Sequence, residues 1–445
     1  MILHNLRIAW KSLQRNRVLS LLIVSGIALG IALSTTFTTI RHAFAQDPIP
    51  AKSGVLHYVR LDSWDPAKAY PTQSPAMAPI PTQITYRDMR EIMKSTIPAR
   101  QTAAYKSNLY VFPDPKVSRP FKEVVRLCFS DFFPMFQVPF KYGAAWDKKA
   151  DEGPEPVVVI SEAMNEKLFG GANSVGRTVR IESTEFRVAG VLDRWMPSVK
   201  FYDPTQNFVQ PPEEIYMPFN LALPMKILPF GNSDGWGPSP AVPGFEGRLV
   251  SETCFIQMWV ELPDAKTKKA YEDFLAAYVL EQKRHGRFQR PLNNRVTPVL
   301  DLMTEFQVVP PETNALVIVS LLFLAVCALN LIGLLLGKFL ARAGEVGVRR
   351  ALGASRLDIF LQHIVECELI AVIGGALGLL ISAGVLVSVS SWAKTVANAR
   401  PDMFRLDVPM VSLAVGLSLL AGFVAGAYPA WRTCRLAPAI HLKLQ

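Results

Sequence analysis

Charge is scarce in this 445-residue chain: 19% of residues are Asp, Glu, Lys or Arg, against 50% apolar ones. That balance excludes disorder, which needs low hydrophobicity and high net charge. A mean hydropathy of +0.21 also argues against an ordinary soluble domain, which needs more polar surface. Reactive motifs are missing as well. There is no HExxH or CxxC, and the six histidines show no ligand spacing, so no catalytic constellation and no metal site are expected. The phosphate loop GxxxxGK[ST] is absent too; Gly333, Gly337 and Lys338 fall one residue short of it. ATP is therefore expected on a separate subunit.

Cysteine is sparse, with five in the chain. Cys327 lies in an apolar run, and Cys367 and Cys434 flank two others. Cys128 and Cys254 fall in the hydrophilic region, where a disulfide and a pair of free core thiols both remain open.

What is present is long and apolar. Val18–Ile40, Ala315–Gly337, Leu369–Ala393 and Val408–Trp431 are uncharged runs, each long enough to cross roughly 30 Å of hydrocarbon at 1.5 Å per residue. These runs contain none of the Asp, Glu, Lys or Arg that proton relays use, and Glu366 and Glu368 read as solvated groups at the entrance of the third. Asn330, inside the second run, reads as an interhelical hydrogen-bonding group. Ala43-Phe44-Ala45 resembles a signal-peptidase site, but the preceding run exceeds the 7–15 residues of a signal core, and a retained span is expected.

The net charge is +10, and its distribution sets the topology. Residues 1–17 hold Arg7, Lys11, Arg15 and Arg17 with no acid; with 338–368 and 432–445 they carry +8, while 41–313 is nearly balanced at +1. Lys and Arg beside spans stay cytoplasmic, so both termini and 338–368 are expected inside and 41–313 outside. The basic excess flanks spans and forms no continuous stripe, which excludes nucleic acid as a partner.

Ile2, Leu6, Ala9, Trp10 and Leu13 recur at helical spacing opposite Arg7, Lys11, Gln14 and Arg15, the pattern of an interfacial helix. Region 41–313 holds 30 of the 34 prolines. It predicts strands over Val55–Leu61, Asn108–Phe112, Glu123–Phe129, Val157–Ile160, Thr178–Ile181, Phe186–Leu192 and Phe255–Glu261. Helices are predicted over Thr85–Ser95, Glu162–Phe169 and Ala265–Gln282, an α+β mixture. The Pro/Gly-rich stretch Leu223–Gly247 reads as a long loop, either a disordered tip or a partner-binding flap. Each span carries glycines at i and i+4, namely Gly26/Gly30, Gly333/Gly337, Gly374/Gly378 and Gly422/Gly426. Such pairs favour a packed bundle or a dimer over isolated anchors.

The run Ala328-Leu329-Asn330-Leu331 … Gly344-Glu345-Val346-Gly347-Val348-Arg349-Arg350-Ala351-Leu352-Gly353-Ala354 resembles the signature of FtsX-like permease domains. Ile373-Gly374-Gly375-Ala376-Leu377-Gly378 and the ending Tyr428-Pro429-Ala430-Trp431-Arg432 … Leu436-Ala437-Pro438-Ala439-Ile440 extend it. In the external region Asp131-Phe132-Phe133-Pro134-Met135-Phe136, Lys167-Leu168-Phe169-Gly170, Val188-Ala189-Gly190-Val191-Leu192 and Ile215-Tyr216-Met217-Pro218-Phe219 resemble the MacB-like periplasmic core. The resemblance implies an ABC transporter permease of the mechanotransmission class in the cell inner membrane, with four transmembrane helices and a large α+β periplasmic domain.

Its implied domains are an interfacial helix (1–17), spans 18–40, 315–337, 369–393 and 408–431, a cytoplasmic coupling loop (338–368) and a tail (432–445). Between the first two spans stands the periplasmic domain (41–313), porter-like over 41–135 and 216–313 with an inserted subdomain over 136–215. Glu345, Arg349, Arg350, Gly353, Ala354 and Ser355 would form the ATPase-coupling loop. The implied partners are an ABC ATPase subunit that binds ATP and Mg, a second permease, a membrane-fusion adaptor with an outer-membrane channel, and the bilayer. Efflux is the leading function; lipoprotein release and regulation of a cell-wall hydrolase are the alternatives within the family.

Overall fold

The computed structural model describes residues 2–15, 17–72, 75–114, 119–153, 155–205, 208–236, 242–397, 399–400 and 403–435. Leu436–Ile440 of the C-terminal motif lie outside them. The chain forms two compact units, Met1–Ala45 with Val309–Gln445, and Gln46–Val308.

Two helices lead, α1 (Ile2–Arg15) and α2 (Arg17–Ala45). The second unit follows as β1 (Leu56–Arg60), β2 (Ile84–Thr85), α3 (Tyr86–Ile92), β3 (Arg100–Phe112), β4 (Phe121–Cys128), α4 (Phe132–Met135), β5 (Phe140–Gly143), α5 (Lys148–Glu152), β6 (Val157–Ile160), α6 (Glu162–Phe169), β7 (Thr178–Ile181), β8 (Thr184–Leu192) and β9 (Ile215–Pro218). It continues through α7 (Ala222–Met225), α8 (Gly244–Val250), β10 (Cys254–Glu261), α9 (Ala265–Arg284), β11 (Arg295–Pro298) and α10 (Val299–Glu305). The chain then runs through α11 (Pro311–Leu340), α12 (Ala343–Ala351), α13 (Arg356–Ala397) and α14 (Val408–Cys434).

One sheet organises the second unit, in the order β11-β1-β10-β3-β4-β9-β6-β8-β5, with β2 on β10 and β7 bridging β3 and β8. The segment expected as an inserted subdomain supplies β5 to β8 at one end of this sheet, joined to the rest where β6 pairs with β9. All four residues of β6, Val-Val-Val-Ile, are buried, as suits a strand with neighbours on both sides. Ser161 then caps α6 by accepting from the Met164 N–H, and Gly170 closes it at φ +71°, a left-handed position that favours glycine. The Asp131–Phe136 motif is core: Phe132, Phe133 and Phe136 pack against Tyr202, Tyr216 and Trp259.

Buried charge pins the segment between β8 and β9 to the sheet. Arg126 on β4 donates to Glu213 at 2.9 and 2.7 Å and to Asp203 at 2.6 Å. Lys106 on β3 lies 2.9 Å from Asp203, and Lys200 2.7 Å from Glu213. All five are buried. Burial opposes ionisation of both carboxyls, yet Arg126, helped by Lys106 and Lys200, outweighs it and holds both below the usual carboxylate range.

Two readings left open by the sequence meet observations here. The described residues of 223–247 neither hang free nor stand off as a flap. Tyr105 donates to the Ile227 carbonyl and Ser107 to that of Leu228, both at 2.8 Å, and Asp234 pairs with Cys254 through the backbone. The candidate bridge Cys128–Cys254 is not formed. Both thiols are free and buried, and β3 runs between their strands; the residue two strands across from Cys128 is Gln257. Two strand spacings of about 4.8 Å exceed the reach of a disulfide.

In the first unit, α2, α11, α13 and α14 are long and apolar enough to cross a membrane. They pack as a bundle, with α2 against α13 and α11, α14 against α13 and α11, and α1 along α13. A Cβ at Gly30 would stand 2.7 Å from Leu324 Cδ1, at Gly378 2.7 Å from the Ala28 carbonyl, and at Gly426 2.5 Å from Cys367 Sγ. Gly374 and Gly422 are equally crowded by Ile27 and Ala371, whereas Gly26 meets only Leu331, at 3.9 Å. Gly333 and Gly337 meet nothing within 4 Å, so that pair does not pack among the described residues. Hydrogen bonds from small side chains join the helices: Ser34 to the Ser320 carbonyl, Thr36 with Ser382, and Ser418 to the Ala371 carbonyl.

Candidate functional site

The six residues singled out in 338–368 come together at one end of the bundle as a helical elbow. Most of the expected loop is helix, because α11 runs on to Leu340 and α13 begins at Arg356. At 42 residues α13 is about 60 Å long, well beyond a hydrocarbon core, so its first turns project past the apolar run.

Local sequence builds the turn. Gly353 at φ +100° follows α12, its N–H donating to the Arg350 carbonyl while the Ala354 N–H donates to that of Arg349. This is a Schellman closure, which favours glycine in the left-handed position. Ser355 then opens α13. Its hydroxyl accepts from the Asp358 N–H at 3.1 Å, and the Asp358 carboxylate accepts from the Ser355 N–H at 3.2 Å, a reciprocal cap. Gly353, Ala354 and Ser355 thus shape the elbow.

The arginines are partly engaged within the chain. Arg349 donates to Glu345 and to Gln362 on α13, both at 2.9 Å, and Arg350 reaches the Cys434 carbonyl at the end of α14 at 3.5 Å. Ala343, Val346 and Gly347 form the buried face of α12, with Val346 packed on Ile359 and Cys434. Beside the exposed Glu345, Arg356 and Asp358, α12 and the elbow present apolar side chains outward: Val348, Leu357 and above all Leu352, which is 83% exposed. Charge drew attention to the arginines, and these leucines were missed. Their signal is an unburied Leu on each side of Gly-Ala-Ser, where a solvated turn would be polar.

Beneath the elbow lies a buried ion pair. Lys338 on α11 sits 2.7 Å from Glu366 on α13, and both are buried. Ser12 of α1 donates to the same carboxylate oxygen and accepts from Arg342, whose second nitrogen reaches the Ser12 carbonyl at 3.4 Å. Arg342 itself lies 3.8 Å from Glu366. One turn before Glu366, the buried His363 ring lies on Phe339 at 4.0 Å between centroids. The reading of Glu366 as solvated is therefore corrected; the pair lies just outside the apolar runs, which themselves hold no charge. Glu366 faces inward because Lys338, on the adjacent helix, offers a cation at the same level. Asn330 is also placed differently: it is exposed, on one face of α11 with Gly333 and Gly337. Among the described residues, no three His, Cys, Asp or Glu side chains converge as metal ligands.

Two family profiles match the chain. MacB-like periplasmic core domains match over residues 20–278, and the FtsX-like permease C-terminal region over 317–438. The chain belongs to the MacB/FtsX-like ABC transporter permease family. Among curated relatives, the permease is 23% identical over 455 residues to the uncharacterized ABC transporter permease YvrN of Bacillus subtilis, covering 100% of both chains. It is 24% identical over 341 residues to the macrolide export ATP-binding/permease protein MacB of Syntrophobacter fumaroxidans, covering 71% of this chain and 46% of that protein. Against the pyoverdine export ATP-binding/permease protein PvdT of Pseudomonas syringae pv. syringae, identity is 24% over 311 residues, 69% of this chain and 41% of the other. The permease thus spans about half, or less, of these two ATP-binding relatives. Among solved structures, the periplasmic region of MacB from Actinobacillus actinomycetemcomitans is similar with a TM-score of 0.34 at 13% identity, covering 52% of this chain and 86% of that one.

Proposed function

We propose that this permease is the membrane part of an export machine in the inner membrane, with both termini, α12 and the elbow on the cytoplasmic side. An ABC ATPase subunit, carrying ATP and Mg, seats on the elbow. Its closure is relayed through α11 and α13 to the periplasmic domain, which moves substrate with an adaptor and an outer-membrane channel. A second permease completes the assembly along the open face of α11, where Asn330, Gly333 and Gly337 leave room for close approach. The observation that carries this reading is the elbow itself: a rigidly capped turn that exposes Leu352 and Leu357 while its root is held by buried charge. An exposed apolar tip with a fixed base is suited to insertion into a groove of another protein.

The test is purification with native partners. Leu352→Asp, and separately Arg349→Glu with Arg350→Glu, are expected to abolish co-purification of the ATP-binding subunit while membrane insertion is unchanged. Retention of that subunit by both variants would sink the reading.

A further inference from the structure

The outward face of α1 carries charge that nothing among the described residues neutralises. Arg7, Lys11 and Arg15 stand at i, i+4 and i+8, one stripe of the helix, and all three are exposed, as is Arg17 at the start of α2. There is no acidic residue in the first 17 positions, and none of these four cations has an ion-pair partner among the described residues. On α9, by contrast, two exposed cations are matched: Lys269 pairs with Asp273 and Arg284 with Glu281, at 2.7 and 2.9 Å.

Beside the basic stripe runs an apolar one, Leu6 and Trp10, with Trp10 53% exposed. Val18, Leu21 and Leu22, the first turns of the span α2, are exposed just beyond it. Cations and an indole side by side at the end of a membrane helix match the level of lipid headgroups, where phosphates lie above and acyl chains below.

The opposite face of α1 is fixed. Ala9, Ser12 and Leu13 are buried, and Ser12 is held between Glu366 and Arg342. The helix is therefore held against rolling its basic stripe away from the bilayer.

We infer that α1 is a docking surface for anionic phospholipid, its Arg7–Lys11–Arg15 stripe collecting phosphodiester monoanions while Trp10 seats among the upper acyl carbons. Through Ser12 and Glu366 the same helix touches Lys338 and Arg342, at the root of α12. This inference rests on the membrane-spanning bundle and not on the motor reading.

The experiment uses the full chain in nanodiscs of phosphatidylcholine containing either brominated phosphatidylglycerol or brominated phosphatidylcholine at the same mole fraction. The Trp10 contribution is the fluorescence difference between the wild type and Trp10→Phe. Quenching of that contribution is expected to be about threefold stronger with brominated phosphatidylglycerol, and the excess to fall as salt is raised. Arg7→Gln/Lys11→Gln/Arg15→Gln should remove the excess while quenching by brominated phosphatidylcholine persists, which shows that α1 is still seated. Equal quenching by the two lipids in the wild type would overturn the inference, as would an excess that survives in the triple variant. A triple variant that loses its ATP-binding partner with the lipid excess intact would assign the stripe to a protein surface instead, and would equally overturn it.

Discussion

The two units of this permease bury charge in opposite ways. In the periplasmic domain Arg126 meets two carboxylates, and each carboxylate meets a second cation, so the cluster holds together through several contacts. All of it serves one purpose, fastening a single crossing segment to its own sheet. At the end of the bundle, Glu366 is the lone carboxylate among Lys338 of α11, Arg342 in the turn after it and Ser12 of α1. The first arrangement is redundant and local. The second is thin and joins elements more than 300 residues apart in the chain.

Removing the hub of the redundant cluster is the strongest way to probe this contrast. Arg126→Met leaves Asp203 and Glu213 buried with one cation each, and breaking a buried pair costs about 3–5 kcal/mol. The periplasmic domain should unfold at markedly lower denaturant while the bundle keeps its helicity, as circular dichroism with site-specific proteolysis would report. The pH response has a definite sign. Both carboxyls are held below their unfolded values of about 4, so their contribution is complete above that range and is lost as pH falls through the depressed folded values. Acid titration of the wild type should show this loss, and Arg126→Met should flatten it. An acid limb identical in both proteins would remove the cluster from the account.

At the thin site the expected loss is smaller and the coupling larger relative to it. Glu366→Gln keeps the shape but leaves Lys338 buried without its anion; Lys338→Met does the reverse. A double-mutant cycle on thermal stability in detergent should give a favourable coupling of about 0.5–3 kcal/mol. The single variants should also free α1, measured as faster proteolysis after Arg7 and Lys11. Additive effects with α1 unchanged would reduce the pair to two independent side chains.

Much of the framework was legible beforehand because it depends on local chemistry. The apolar runs and the strand over Val157–Ile160 follow from local apolar patterning alone, whereas the capping of α13 by Ser355 and Asp358 went unread in a stretch expected as a loop. The ion pair was not legible, since Glu366 beside an apolar run looks the same whether it faces water or Lys338. The exposed Leu352 was hidden for a related reason: a leucine between helices is read as core until its neighbours are known. β2 escaped because two residues carry no period, and β9 and β11 because each ends on a proline, which reads as a break in a strand.

The glycine pairs extend the comparison to packing and give the smallest effects. Gly422 has Ala371 against it, and Gly426 has Cys367 Sγ 2.5 Å from where a Cβ would lie. Gly422→Val should therefore overpack the α13–α14 contact, at a cost of about 1–3 kcal/mol. Gly333→Val and Gly337→Val add their side chains to open space, so the thermal stability of a single chain should scarcely change. On the proposed pairing their effect lies between chains: a second permease approaching along Asn330, Gly333 and Gly337 would be held off by two branched side chains, and cross-linking of paired permeases in the membrane should fall. If Gly333→Val weakened the isolated chain as much as Gly422→Val does, the open face would be closed within the monomer, and the contrast between packed and open glycines would fail.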